Sequence, residues 1–329
     1  MCISRTRRGC INRAYRPAQV TTRPKLHLSS LVSLENPTLH KLLKFPPPTR
    51  YELTQHPENA DFVLFVESGY FGLNIYSRLQ ELKRYFGAQL FVFSESDWPF
   101  PLLPGLYPSL TKRVPWAHSW SFLINGQPTT HLNERPYLFS FLGRSSTHPV
   151  RKEVLNLDSD KTPCVDLSAA PSRFPEWNYS QTYAQLLALS RFALCPRGIG
   201  VSSNRLFEAM RAGCVPVIIS DDWIEPPCGQ WSHFSMRIPE SRVNTIPDVC
   251  LSRLGEAQEM GQFAAKTFRE YFGPDVFLDN AVDLIREYSM SGNRGTIART
   301  LSAVSLREFR DVLSRLKNNT LALHRGCPS

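Results

Sequence analysis

Arg205 and Glu208 stand one helical turn apart behind a glycine loop, a pairing that suits a phosphorylated ribose. A short apolar run from Phe192 to Cys195 is stopped by Pro196, and Arg197, Gly198 and Gly200 then open a loop ending in Ser202, Ser203 and Asn204, all good N-cap types. Leu206, Phe207, Ala209 and Met210 follow at helical spacing, Gly213 supplies the stop, and Val215 to Ile219 reads as a second buried strand. The first turn of a helix leaves backbone N–H groups unpaired and carries partial positive charge, so a diphosphate is favoured at Ser202 to Arg205. Arg205 adds a full charge, and the Glu208 carboxylate suits the vicinal hydroxyls of a ribose. Arg197 reads equally well as a donor contact or as a surface arginine paired with a carboxylate. Cys195 and Cys214 read as small buried thiols, and Pro216 implies an edge, a bulge or the first residues of a strand.

These residues need a sheet to hold them. Asp61 to Val66 reads as a buried strand, Leu73 to Phe86 carries apolar residues at helical spacing, and Gln89 to Phe93 is another strand, together a β-α-β unit. The first strand delivers Glu67-Ser-Gly and the second Ser94-Glu-Ser-Asp97 to the strand ends where open α/β sheets hold ligands. Tyr137 to Leu142 starts a second unit, with a polar loop at Gly143 to His148 and a helix from Pro149. Helices are expected over Tyr179 to Leu189 and Leu254 to Tyr271, a strand over Phe234 to Ile238, and a final helix beyond Arg294 that packs back across the interface. Asp158-Ser-Asp160 spells an Asp-x-Asp pattern but follows a helix, so a solvated turn is the reading and no metal is expected.

The run Cys195-Pro-Arg-Gly198, the serines, Arg205-Leu-Phe-Glu-Ala209 and Gly213-Cys-Val-Pro-Val-Ile218 resembles the exostosin-like family of glycosyltransferases. Glu58 to Val66, Tyr137 to Arg144 and Arg151 extend the resemblance over roughly residues 50–290. It implies an α/β fold of GT-B type, two Rossmann-like domains with a cleft between them and a C-terminal helix, with the donor nucleotide on the second domain. It also implies a nucleoside-diphosphate donor, a UDP-sugar, as substrate rather than cofactor, a glycan or other hydroxyl acceptor, and an inverting reaction. Arg144 and Arg151 match basic positions of the family and would meet the diphosphate from the side opposite Arg205. An inverting transfer needs one base on the acceptor side, and the candidates by position are Glu67, ranked first, and Asp97, whose loop Trp98-Pro99 would turn aside. The bland alternative for either is a cap or loop hydrogen bond. Neutralisation of the leaving diphosphate by a helix terminus and arginines implies a metal-independent reaction.

The expected organisation is a basic, poorly ordered arm and Pro-rich linker over 1–48, an acceptor domain over 49–134, a sugar-nucleotide domain over 135–290 and a helical extension over 291–329. The 329 residues, 42% hydrophobic, suit two globular domains. Net charge is +9, much of it from Arg5, Arg7, Arg8, Arg13, Arg16, Arg23 and Lys25, so the basicity reads as a tail rather than a nucleic-acid surface. That tail is expected to be solvated or to touch an anionic membrane surface peripherally. No apolar run approaches the ~20 residues of a membrane span. The eight cysteines show no Cys-x-x-Cys pair, so reduced thiols and a cytoplasmic location are the default, with the Golgi lumen as the location if the N-terminus is truncated. The rival class is a protein that keeps the nucleotide-sugar fold without catalysis and acts in binding or in membrane or nucleic-acid association. A nucleotide-sugar epimerase would want a Gly-rich loop after the first strand and a Tyr-x-x-x-Lys pair, and neither is present.

Overall fold

The computed structural model describes residues 23–30, 36–67, 81–97, 101, 103–111, 113, 117–123, 134–174 and 178–290. The expected final helix beyond Arg294, most of the helix over 73–86 and Trp98-Pro99 lie outside the described residues. In the first unit, β1 (Lys25–Ser29), α1 (Pro37–Leu43), β2 (Glu52–Leu53), β3 (Phe62–Glu67), β4 (Leu90–Ser94), β5 (Gly105–Tyr107) and β6 (Ala117–Ser119) form a parallel sheet of order β2-β1-β3-β4-β5-β6. In the second, β7 (Tyr137–Gly143), α2 (Val150–Leu155), β8 (Cys164–Asp166), α3 (Tyr179–Leu189), β9 (Ser190–Pro196), α4 (Asn204–Arg211), β10 (Val215–Ile219) and β11 (Met236–Arg237) give a parallel sheet of order β11-β10-β9-β7-β8. Then come α5 (Ile246–Ser252), α6 (Ala257–Thr267) and α7 (Phe277–Met290). Two parallel sheets flanked by helices are the α/β architecture expected of a GT-B protein.

Several expectations change in the structure. The arm over 1–48 was expected to be poorly ordered, yet its residues 25–29 form β1, an interior strand between β2 and β3. Leu26 is fully buried there, and the Asp61 carboxylate accepts from the Lys25 N–H at 2.7 Å. The Pro-rich stretch is no free linker either, since Pro48 is buried and Phe45 packs edge-on against Phe277. Asn36 caps α1, its Oδ1 accepting from the N–H groups of Thr38 and Leu39 at 3.0 Å. Pro216 lies in an interior strand, but β10 pairs with β11 only from Val217, so the proline sits where a single neighbour is engaged. Phe234 closes a helical turn over Trp231–Phe234, shortening the expected strand to Met236–Arg237. The long helix expected over 254–271 begins with a 3-10 turn and ends in a π-helical turn over Phe268–Phe272.

α7 follows the second unit in sequence but packs on the first. The Asp279 carboxylate accepts from Thr49 N–H (2.8 Å), Thr49 Oγ1 (2.7 Å) and Arg50 N–H (2.9 Å), and Tyr51 donates to Asp283 at 2.7 Å. Phe277 is buried against Phe93 and Trp120, and Trp120 and Phe207 both meet Phe272 edge-on. One continuous apolar cluster therefore runs from the first sheet into the second unit. On another side Trp223 Nε1 donates to Pro108 O (2.9 Å) and Ile224 N to Leu110 O (3.0 Å). These ties fix the two sets of strand ends against one cleft.

Candidate functional site

β9 and α4 define the floor of that cleft. Pro196 ends β9, the chain loops through Gly198, and Ser203 enters α4 in extended conformation, φ −142° and ψ 128°, without bonding the helix through its own side chain. Ser202, Ser203 and Asn204, at the start of α4, line a cavity of about 720 Å³. Ser202 Oγ is buried and, among the described residues, has no hydrogen-bond partner.

Arg205 reaches back from α4 under β7. Its Nη2 donates to the Leu142 carbonyl, and its guanidinium lies 4.5 Å from the Phe141 ring centroid and 5.6 Å from that of Tyr183. The side chain is 8% exposed, yet among the described residues its Nε has no partner. Gly143 makes room for it, because a Cβ there would stand 2.9 Å from Arg205 Nη2. Arg151, from α2, is laced to three backbone carbonyls: Nε to Arg197 O (2.9 Å), Nη1 to Arg144 O (3.2 Å) and Nη2 to Pro196 O (3.3 Å). Burial and then the neighbouring Arg205 charge pull its pKa down to about 10, against the opposing pull of Asp97. Two cations held this close are relieved by an anion between them. Arg144, more exposed, lines the same cavity, and its carbonyl also accepts from Thr147 Oγ1 at 3.1 Å.

Glu208 lines the cavity one turn beyond Arg205, and its Oε2 accepts from the Tyr183 hydroxyl at 2.5 Å. Burial raises the Glu208 carboxyl above the usual range, while Tyr183, Arg205 and Lys41 oppose the shift. Burial, with Glu208 beside it, likewise pushes the Tyr183 phenol well up. Tyr183 and Tyr179 stack at 5.8 Å and 12°, and both line the cavity. Neither tyrosine was singled out from the sequence, although their i, i+4 spacing on a helix feeding β9 is a signal that places both on one face.

The predicted residues separate in space. Asp97 and Phe122 line the cavity from the first unit, facing Arg144, Arg151, Gly198, Ser202, Ser203, Arg205 and Glu208. Glu67, ranked first as base, does not line it. It is 3% exposed at the end of β3, and its Oε2 accepts from Ser94 Oγ at 2.6 Å, so the pleat turns it into the first unit. Arg197 also leaves the cavity, turning Nη1 toward Glu240 (3.7 Å) and Asp222 (3.9 Å), the carboxylate pairing that was its bland alternative. Gly200 does not line the cavity but meets the Asp97 loop. Asp158 accepts from Cys164 N–H (2.8 Å) and Arg173 (2.6 Å) in a turn, with Asp160 exposed beside it. Among the described residues no group of His, Cys, Asp and Glu side chains gathers as a metal site, and no helix is long and apolar enough to cross a membrane. The five described cysteines are buried free thiols.

Residues 110–252, which carry most of the cavity's second wall, match the family model of the Exostosin GT47 domain. The chain is 30% identical over 138 residues to Exostosin-1 homolog of Caenorhabditis elegans, 36% of this chain and 36% of that protein. It is 34% identical over 77 residues to Probable glucuronosyltransferase GUT1 of Oryza sativa subsp. japonica, 23% of this chain and 18% of that protein. Among solved structures it is similar to that of TarM, with 11% identity and a TM-score of 0.40 over 73% of this chain and 56% of that one. Residues 110–252 are thus similar to the exostosin domain, and the chain spans about a third of the length of the C. elegans relative.

Proposed function

We propose that this protein transfers a glycosyl group from a UDP-sugar to a hydroxyl of a glycan acceptor, with inversion and without need of a divalent ion. The observation that carries the reading is the Arg205–Arg151 pair at the start of α4, with buried donors at Arg205 Nε and Ser202 Oγ that lack protein partners among the described residues. Such donors, left unpaired in the protein, call for acceptor oxygens of a ligand. The donor diphosphate lies between the α4 N-terminus and the two guanidiniums, with Arg144 at its outer edge, and Glu208 accepts from the ribose hydroxyls. Asp97, across the cavity, takes the proton of the acceptor hydroxyl as its oxygen attacks the anomeric carbon. The bond from that carbon to the β-phosphate oxygen breaks, and the diphosphate leaves with the electron pair, its charge met by donors already in place. The family match and a relative named as a probable glucuronosyltransferase support glycosyl transfer as the reaction class.

Calorimetry with UDP tests the donor site: wild type binds and Arg205→Ala binds more weakly, whereas equal affinities defeat the assignment. Metal independence is tested separately, by assaying turnover in excess EDTA. Turnover persists if arginines and helix carry the charge, and complete loss with recovery on adding manganese overturns that part.

A further inference from the structure

Gly200 marks the point where the loop after β9 meets the first unit. A Cβ on it would stand 2.5 Å from Ser109 Oγ, 2.7 Å from Asp97 Oδ1 and 2.9 Å from the Asp97 backbone oxygen. Gly200 is not among the positive-φ glycines, so the demand at this position is space rather than backbone conformation. The exposed Asp97 carboxylate can turn aside, but the Asp97 backbone oxygen and the buried Ser109 have less room to retreat. Ser109 is fully buried, and the carbonyls on either side of it accept from Trp223 Nε1 (2.9 Å, Pro108 O) and Ile224 N (3.0 Å, Leu110 O). The Asp97 loop rests on Glu67, whose carboxylate accepts from Ser94 Oγ and whose carbonyl accepts from Glu95 N–H at 3.1 Å, while Ser94 Oγ accepts from Ser96 N–H at 3.0 Å. Two of the three contacts are to Asp97 itself, and one of these is backbone, which cannot swing aside as a side-chain tip does.

We infer that Gly200 is a positioning residue for Asp97: its bare Cα admits the facing loop to contact and so sets where the carboxylate stands over the donor. The inference rests on the reading of Asp97 as the base and assigns Gly200 to the acceptor side rather than to phosphate binding. The Gly198 contact is of another kind, since a Cβ there would meet Arg151 Nη2 at 3.0 Å, inside the donor wall.

The test is Gly200→Ala in the full chain, assayed by calorimetry with UDP and by UDP release from the UDP-sugar that wild type turns over fastest. The expected result is a UDP affinity within about twofold of wild type and a kcat lower by about 10²-fold, the scale of an ångström-sized misplacement. The acidic limb of the kcat–pH profile shifts with it, because Asp97 changes its distance from Arg151. Adding Ser109→Ala removes the shortest contact and recovers part of the lost kcat. The same double variant serves if the single one does not fold. Wild-type kcat and pH profile in Gly200→Ala overturn the inference, as does a parallel loss of kcat and UDP affinity, which assigns Gly200 to the donor loop. Failure of the underlying reading looks different: Asp97→Asn then retains turnover, or wild type binds no UDP.

Discussion

The two walls of the cleft are built in opposite ways. One wall, proposed to hold the donor, comes largely from one continuous stretch, Gly198 to Glu208, with Arg151 bonded to the Pro196 and Arg197 carbonyls just before it and to the Arg144 carbonyl. The facing wall is assembled from pieces distant in sequence. Asp97 stands on a loop anchored to Glu67, Phe122 adjoins Leu123, whose N–H donates to Glu95 at 2.6 Å, and Lys41 of α1 donates to the Leu123 carbonyl at 2.6 Å. Burial lowers the Lys41 pKa to about 8, with Glu95 and then Glu208 opposing. A wall made of local structure can be read from a short string, and a wall made of long-range contacts cannot.

The sharpest way to break this contrast is to exchange the roles of the two first-unit acids. Asp97→Asn is expected to cost about 10²–10⁴-fold in turnover while UDP affinity stays nearly constant, the signature of a lost base. Glu67→Gln is expected to lower stability by about 1–3 kcal/mol, the scale of a disturbed buried hydrogen bond, with a smaller loss of turnover through the Asp97 loop. Denaturant melts paired with steady-state kinetics check both. Should Glu67→Gln lose more turnover than Asp97→Asn, the assignment of the base is reversed.

A second comparison lies between two arginines of the β9–α4 segment, Arg205 inside the cavity and Arg197 outside it. Arg205→Ala should weaken UDP binding by about 1.5–3 kcal/mol, the range for hydrogen bonds to a charged group. Arg197→Ala should leave UDP affinity unchanged, because its guanidinium faces Glu240 and Asp222. Equal losses by calorimetry would return Arg197 to the site and erase the distinction.

What the sequence discloses follows the same division. The β9–loop–α4–β10 unit is legible because every signal in it is local: Pro196 at the end of the strand, serines at the cap, Gly213 at φ +63° after the helix. β1 is illegible for the converse reason. Five residues inside a basic arm become an interior strand only because Phe62 to Phe65 and Glu52 to Leu53 lie ready on either side. The choice between Glu67 and Asp97 turns on which face of a strand end opens to the cleft. Position alone puts both at the same edge, and only packing, with Ser94 bonded to Glu67, separates them. Arg197 differs from Gly198 by a single step of backbone, enough to send its side chain to the other face.

The tie between α7 and the first unit gives a third prediction, in stability rather than turnover. Burial alone would raise the Asp279 carboxyl, but hydrogen bonds from Thr49 and from the N–H groups of Arg50 and Thr49 outweigh it and hold its pKa below the ordinary value. With the folded value depressed, the contribution is fully present above the unfolded value near 3.8 and is lost as pH falls through the folded one. Asp279→Asn is expected to cost about 1–3 kcal/mol at neutral pH and to flatten the acid limb of a stability–pH curve. An unchanged acid limb in the variant shows that the tie contributes nothing.

The smallest expected effect belongs to Tyr183, the residue that fixes Glu208. Tyr183→Phe removes the hydroxyl that donates to Glu208 Oε2 and leaves the rings stacked. The lost bond is expected to cost about 0.5–1.5 kcal/mol in UDP affinity, the net worth of an ordinary hydrogen bond. Its pH dependence identifies the cause. Burial already raises the Glu208 carboxyl, and Tyr183 is among the groups holding it down, so removing the hydroxyl lifts it further. A protonated carboxyl accepts fewer hydrogen bonds from a ribose, so UDP affinity falls as pH drops, and in Tyr183→Phe that fall begins at higher pH than in wild type. Pyrophosphate, which has no ribose, should bind both proteins alike at every pH. Calorimetric titrations with UDP and with pyrophosphate across the mildly acidic range make the comparison, and a parallel loss for both ligands would place Glu208 and Tyr183 in the diphosphate wall instead of at the ribose.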